Sequence, residues 1–281
     1  MTGHRLLDPL NAAETRFCSE REAVVEKREA YETFRREVCQ TPLDDFPAGR
    51  GGGSLGVVDG PIAVAGPSDA ASTATSGVER VRERFAALIR SHSLADVEAD
   101  EPLVETIEAD EPLVETIEAE FDADVARALS QPNTRFTEAV RDHLLSRIRE
   151  RCEELDAMEA VLDTEADSVA AAREVFENAV AVTDRVPNRN LLALEFDDLR
   201  ERYDTLERVR ERCEDALEAR QSLLHGPAGG VATSDRTHRA VVRYLYGSLD
   251  EVFPVLHVGT ALVTRCGHRS DAVADQIARR V

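Results

Sequence analysis

Apolar side chains recur along much of the chain at alternating steps of three and four residues, the spacing that places them on one face of an α-helix. The first run covers residues 10–39 and repeats as a heptad, which is typical of a coiled coil. We refer to such a row of positions as the seam of its helix. Polar Glu20 and Lys27 also occupy this first seam, whose other members are Leu10, Ala13, Phe17, Val24, Tyr31, Phe34 and Val38.

Similar seams follow in the second half of the chain and predict long helices over residues 135–162, 167–186 and 196–224. The last of these seams includes two arginines, Arg210 and Arg220. The pattern therefore predicts an all-α fold, an antiparallel coiled-coil or helical bundle of long helices with a docked C-terminal helical segment. Shorter helices are predicted over residues 78–91, 239–247, 256–265 and 271–280.

Glycine, proline and small residues dominate residues 41–76, where no helical periodicity is present. This composition predicts a flexible linker, with a weak hairpin over residues 55–64. The sequence then divides into an N-terminal long helix (1–40), the linker (41–76), a helical bundle (77–225) and a C-terminal helical segment (226–281).

A ten-residue segment, EADEPLVETI, occurs twice in tandem at residues 98–107 and 108–117. Proline suits the first turn of a helix, so each copy can begin one, but Pro112 prevents a single helix through both. Two copies are too few for a solenoid. The repeat is therefore interpreted as a tolerated surface insertion, with a doubled docking motif as the alternative.

The charge balance is strongly acidic, with 55 Asp and Glu against 34 Lys and Arg and a formal net charge of -21. Lys27 is the only lysine. An acidic surface with arginine in place of lysine is typical of proteins from a salt-rich cytoplasm, because molar salt shortens the screening length to about 3 Å and removes the self-repulsion. The composition predicts a halophilic protein.

Motifs for chemistry are absent from the sequence: there is no nucleophile elbow, phosphate-binding loop or dinucleotide fingerprint. His257, Cys266 and His268, with His238 farther away, are candidate metal ligands, but their spacing does not match a zinc site. We therefore expect no metal, no cofactor and no enzymatic activity, with a metal-dependent enzyme near His257 and Cys266 as the weakest alternative. The five cysteines form no CxxC pair and are expected to be buried thiols in helical cores.

The C-terminal segment concentrates apolar and aromatic residues beside several arginines. We take Tyr244, Tyr246, Phe253, Arg239 and Arg243 as the candidate interaction surface. The main hypothesis is a scaffold or regulatory module that binds a protein partner or itself. The alternative is a nucleic-acid-associated regulator that uses the arginine-rich segment, although the net charge opposes binding to phosphate.

The chain carries no recognisable targeting segment at its start, and its longest apolar stretch, residues 252–263, is shorter than the roughly 20 residues that span a bilayer. A cytoplasmic location without membrane contact is therefore expected.

Three segments resemble an uncharacterised haloarchaeal coiled-coil family known as domain of unknown function 7260. They are FCSEREAVVEKREAYETFRREV at residues 17–38, EPLVETIEAEFDADVARAL at residues 111–129, and YLYGSLDEVFPVLHVGTAL at residues 244–262. The resemblance touches most of the chain outside the linker, and members of that family carry one copy of the EPL segment where this chain has two. It implies no known activity and transfers no catalytic residue.

Dilution of salt is expected to unfold the protein, because the charge of -21 is then no longer screened. Circular dichroism at 222 nm, recorded from molar KCl down to about 0.1 M, should show a loss of helix. Helicity that is unchanged across this range would contradict the halophilic interpretation.

Overall fold

The computed structural model describes residues 3–44, 76–93, 111–131, 134–185, 188–226 and 237–280. These ranges contain no β-strand, so the all-α prediction is confirmed. Short 3-10 helices cover Gly3–Leu7 and Asn188–Ala193. The α-helices are α1 (Asp8–Gln40), α2 (Gly77–Leu88), α3 (Glu111–Glu120), α4 (Ala123–Ser130), α5 (Glu138–Arg185), α6 (Phe196–His225), α7 (His238–Tyr246) and α8 (Pro254–Ala278).

Most of the predicted linker, the hairpin over residues 55–64 and the first copy of the repeat lie outside the described residues. None of the helices in the described ranges is both long and apolar enough to cross a membrane. The division into four parts along the sequence stays a prediction.

Two pairs of predicted helices are each one continuous helix. Residues 135–162 and 167–186 were predicted as separate, yet α5 runs through the junction, which contains neither glycine nor proline. The seam of α5 continues across the junction at Glu165. The apolar periodicity was interrupted there because this position is occupied by a polar residue. Likewise α8 passes through Gly267, since one glycine costs a helix only about 1 kcal/mol.

The chain forms two compact units, and their boundary falls within α1 and α5. The first unit comprises Met1–Val25 and Leu155–Val281, and the second comprises Glu26–Glu154.

In the first unit, α6 and α8 run antiparallel. Gly259, near the start of α8, lies against Leu217, near the end of α6, whereas Val273, near the end of α8, packs with Leu199 and Leu206 at the start of α6. A Cβ atom at Gly259 would lie 2.6 Å from Leu217 Cδ2, so glycine allows the two helices to approach closely. Supercoiling of these helices stays a prediction.

An aromatic group forms part of the core of the second unit. The rings of Phe34 and Phe85 are 5.8 Å apart, and the rings of Phe85 and Phe121 are 5.7 Å apart. All three side chains are buried, as is Tyr31, whose ring meets Phe121 edge to face. These rings bring together α1, α2 and the turn that follows α3.

The second copy of the repeat is part of this core. The interpretation of the repeat as a surface insertion stays a prediction, because the first copy lies outside the described residues. The second copy supplies most of α3, and its Leu113 and Ile117 side chains are buried. The two copies differ in the residues that follow them. The third residue after the first copy is Asp110, whereas the third residue after the second copy is Glu120, which is followed by Phe121. Glu120 and Phe121 are both buried, so the residues that follow the second copy contribute to this core.

Candidate functional site

Glu120, at the end of α3, is the centre of a buried polar network in the second unit, and its side chain is enclosed although the residue type is normally exposed. Lys27 Nζ lies 3.0 Å from its Oε1, and the Ser93 hydroxyl donates to the same oxygen at 2.6 Å. Oε2 accepts hydrogen bonds from the Tyr31 hydroxyl and from Arg151 Nε, the latter at 3.1 Å. We refer to these five residues as the Glu120 cluster.

Seam spacing brings two members of this cluster together on α1. Lys27 and Tyr31 are one turn apart, so their side chains lie on the same face of the helix. Lys27, the only lysine of the chain, is just 6% exposed. A cation at a seam position is stable only with an anionic partner, and Glu120 provides it.

The ionisation of the cluster follows from this geometry. Burial alone would raise the pKa of Glu120, but hydrogen bonds from Ser93 and Tyr31 and the charge of Lys27 lower it to about 2. Burial and the nearby Glu120 charge raise the pKa of Tyr31. The cluster therefore holds a carboxylate anion and a neutral phenol.

Glu165, on α5, is the centre of a second network in the first unit and is 0% exposed. Arg220 of α6 binds it with two parallel hydrogen bonds of 2.8 Å, from Nη1 to Oε2 and from Nη2 to Oε1. His238 Nε2 lies 2.7 Å from Oε2, and the Tyr246 hydroxyl donates to Oε1 at 2.8 Å. Arg220 Nη1 also donates to the Ser168 hydroxyl at 2.9 Å. These five residues form the Glu165 cluster.

The Glu165 cluster attaches α7 to the first unit. His238 and Tyr246 are the first and last residues of α7, and both reach the same carboxylate. Burial would raise the pKa of Glu165, but the hydrogen bond with His238 and the bonds and charge of Arg220 lower it. A charge-assisted, bidentate arginine pair is among the stronger hydrogen-bonded contacts in proteins. The first and last residues of α7 are thus both fixed by the same carboxylate.

The opposite face of α7 is exposed. Arg239, Arg243 and Tyr244 all lie on it, and Tyr244 is 60% exposed, with its hydroxyl donating to Glu20 at 3.1 Å. The guanidinium carbon of Arg239 lies 5.8 Å from the ring centroid of Phe253, in cation–π geometry. Within the described ranges, neither arginine forms an ion pair with a carboxylate.

The five residues of the candidate interaction surface are therefore not on one face. Arg239, Arg243 and Tyr244 are exposed, Phe253 is half-buried beneath Arg239, and Tyr246 lies in the interior with Glu165. An interaction at this surface stays a prediction. Tyr246 is buried, so it can contribute to such an interaction only by holding α7 in place.

The candidate metal ligands do not converge. His257 is exposed, with its Nδ1 3.2 Å from Glu251, and His268 is exposed while Cys266 is buried. His238 is engaged with Glu165. Across the described ranges, no group of three or more His, Cys, Asp or Glu side chains is arranged to hold a metal ion.

The cysteines only partly match the prediction of buried thiols. Cys213 and Cys266 are buried, and burial raises the pKa of both, that of Cys213 to about 12. Cys18 and Cys39 are exposed, however, which corrects the prediction for these two residues. Both lie on α1 next to seam positions instead of in the seam, so their side chains turn away from the core.

Residues 8–270 match the family described as domain of unknown function DUF7260. The chain belongs to this family. The matched range includes both carboxylate clusters and the exposed face of α7. Comparisons with curated proteins and with solved structures gave no match.

Acid should destabilise the second unit through Glu120. Because the pKa of Glu120 falls from an ordinary 4.5 to about 2 on folding, the ionised carboxylate stabilises the fold above pH 4.5. That contribution is lost progressively as the pH falls from 4.5 towards 2. Denaturant unfolding followed by circular dichroism at each pH, at constant ionic strength, measures it as a fall in the free energy of unfolding.

The Glu120→Gln variant should be less stable at neutral pH and should show a shallower loss of stability in acid than the wild type. Some acid dependence should remain, because the pKa of Glu165 is lowered as well. Glu118→Gln, an exposed change on the same helix, is the matched control and should behave like the wild type. Equal acid dependence in Glu120→Gln and the wild type would mean that the cluster does not hold an anion.

Proposed function

We propose that the protein is an interaction module that binds a protein partner through the exposed face of α7, and that it does not act as an enzyme. The observation that carries the proposal is the exposure of Tyr244 beside two arginines, Arg239 and Arg243, that have no carboxylate partner in the described ranges. Tyrosine and arginine are enriched among the residues that dominate binding energy at protein interfaces.

The attachment of α7 supports this proposal. Its buried face packs Val241, Val242 and Leu245 into the first unit, while His238 and Tyr246 bind Glu165. A helix held at both ends presents its exposed side chains in a fixed arrangement. Such an arrangement lowers the entropy lost on binding and so favours affinity.

The proposal places the protein in a salt-rich cytoplasm, in line with its acidic, arginine-based composition. A protein partner is preferred over a nucleic acid because molar salt strongly weakens the attraction to phosphate on which nucleic-acid binding depends. Glu20 adds a carboxylate next to Tyr244 on this surface.

Affinity capture from native cells at native salt, with and without nuclease, tests the proposal. Wild-type protein should retain a reproducible set of partners that nuclease does not release, and Tyr244→Ser should lose it because the exposed ring is removed. Phe196→Ser is the matched control, since Phe196 is another exposed aromatic residue, at the start of α6. It should capture the same partners as the wild type.

Circular dichroism should first confirm that both variants are folded. Capture that is equal in Tyr244→Ser and the wild type would contradict the role of α7. Release of the bound material by nuclease would favour the nucleic-acid-associated alternative.

A further inference from the structure

We infer that the partner presents a carboxylate-rich segment to α7, with acidic side chains that bind Arg239 and Arg243. This inference rests on the proposed function and specifies the chemistry of its partner. The chain as a whole carries a charge of -21, but this surface exposes two arginines, and its neighbouring carboxylate, Glu20, is paired with Arg16. The surface is therefore complementary to an acidic protein segment.

The two arginines differ from many others in the structure. Arg21, Arg127 and Arg141, for example, are paired with carboxylates of the chain itself. By contrast, α7 contains no acidic residue along HRAVVRYLY, and neither Arg239 nor Arg243 has an ion-pair partner within the described ranges. Covering unpaired guanidinium groups with a partner is costly unless that partner supplies anions. A binding partner should therefore bring its own carboxylates.

The position of Arg239 prepares it for this contact. Its guanidinium lies over the Phe253 ring, which restricts its orientation while its edge N–H groups remain able to bind an anion. Arginine binds carboxylates through two parallel N–H donors at that edge. Because the arginine is held in place before binding, less conformational entropy is lost when a carboxylate arrives.

The spacing of the arginines indicates what the acidic segment looks like. Arg239 and Arg243 are one helical turn apart, which separates their Cβ atoms by about 6 Å. Two carboxylates one turn apart on a partner helix have the same separation. The exposed Tyr244 ring beside them offers the apolar contact that gives such a segment affinity in high salt, where charge alone is strongly screened.

Selection of short random peptides displayed on phage, against the immobilised full chain in molar KCl, tests the inference. Selected peptides should be enriched in Asp and Glu spaced three or four residues apart. Their affinity should fall at least about tenfold for the Arg239→Glu/Arg243→Glu variant, because attraction becomes repulsion. The matched control is Arg208→Glu/Arg212→Glu, which reverses two exposed arginines with the same spacing on α6 and should leave the affinity unchanged.

The outcomes separate this inference from the proposed function. Acid-enriched peptides that lose binding only in the α7 variant support both. Peptides that depend on Tyr244 but carry no excess of acidic residues overturn the inference and leave the α7 interaction surface in place. Binding that is the same in the wild type, the α7 variant and Tyr244→Ser overturns both, and the absence of any selected peptide overturns the inference.

Discussion

A carboxylate removed from water must be surrounded by donors and cations, or it destabilises the fold that encloses it. Each compact unit of this protein contains such a group, Glu120 in the second unit and Glu165 in the first. Both carboxylates bind a tyrosine hydroxyl and at least one cationic side chain. Both oxygens of each carboxylate have partners, which offsets the cost of burying the charge. The helices that supply these partners are thereby fixed to one another within each unit.

Polar contacts of this kind specify an arrangement more sharply than an apolar seam does. A seam of Leu, Val and Ala can slide by a turn at modest cost, whereas a buried charge loses its partner if the register changes. The end of α3 illustrates the point, because the two copies of the repeat are identical and only the second is followed by Glu120 and Phe121, both of which are buried. Similarly, α7 reaches Glu165 through both His238 and Tyr246, so a change in the register of this helix would break both contacts.

The heptad pattern could predict the helices, because a helix that buries one face has apolar residues at regular, short spacings in the sequence. It also exposed Lys27 and Arg220 as polar residues in seams, and both are members of a cluster. Their partners could not be found in this way. Glu120 lies 93 residues from Lys27 and His238 lies 73 residues from Glu165, and local spacing contains no information on such pairs. Among the acidic residues that the structure describes, Glu120 and Glu165 are the buried ones. The position of Glu165 in the seam of α5 could have marked it, but the sequence does not indicate its partners.

The grouping of Tyr244 with Tyr246 shows a second limit. Two positions apart on a helix correspond to about 200° of rotation, so one ring is exposed and the other is buried. The sequence could place Tyr244 and Tyr246 in one apolar segment. Which face of α7 is buried, however, depends on which of its residues pack against the rest of the first unit. That packing is what leaves Arg239, Arg243 and Tyr244 on the surface while Glu165 holds the helix from beneath.

Hydrogen–deuterium exchange of the Glu165→Gln variant tests most directly whether a buried carboxylate holds its helices. Loss of the charge should leave Arg220 without its anion, so amides of α7 should exchange faster than in the wild type, while α2, α3 and α4 of the second unit keep their wild-type rates. Glu174→Gln, an exposed change on α5, is the control and should leave all rates unchanged. Wild-type exchange of α7 in Glu165→Gln would contradict the account.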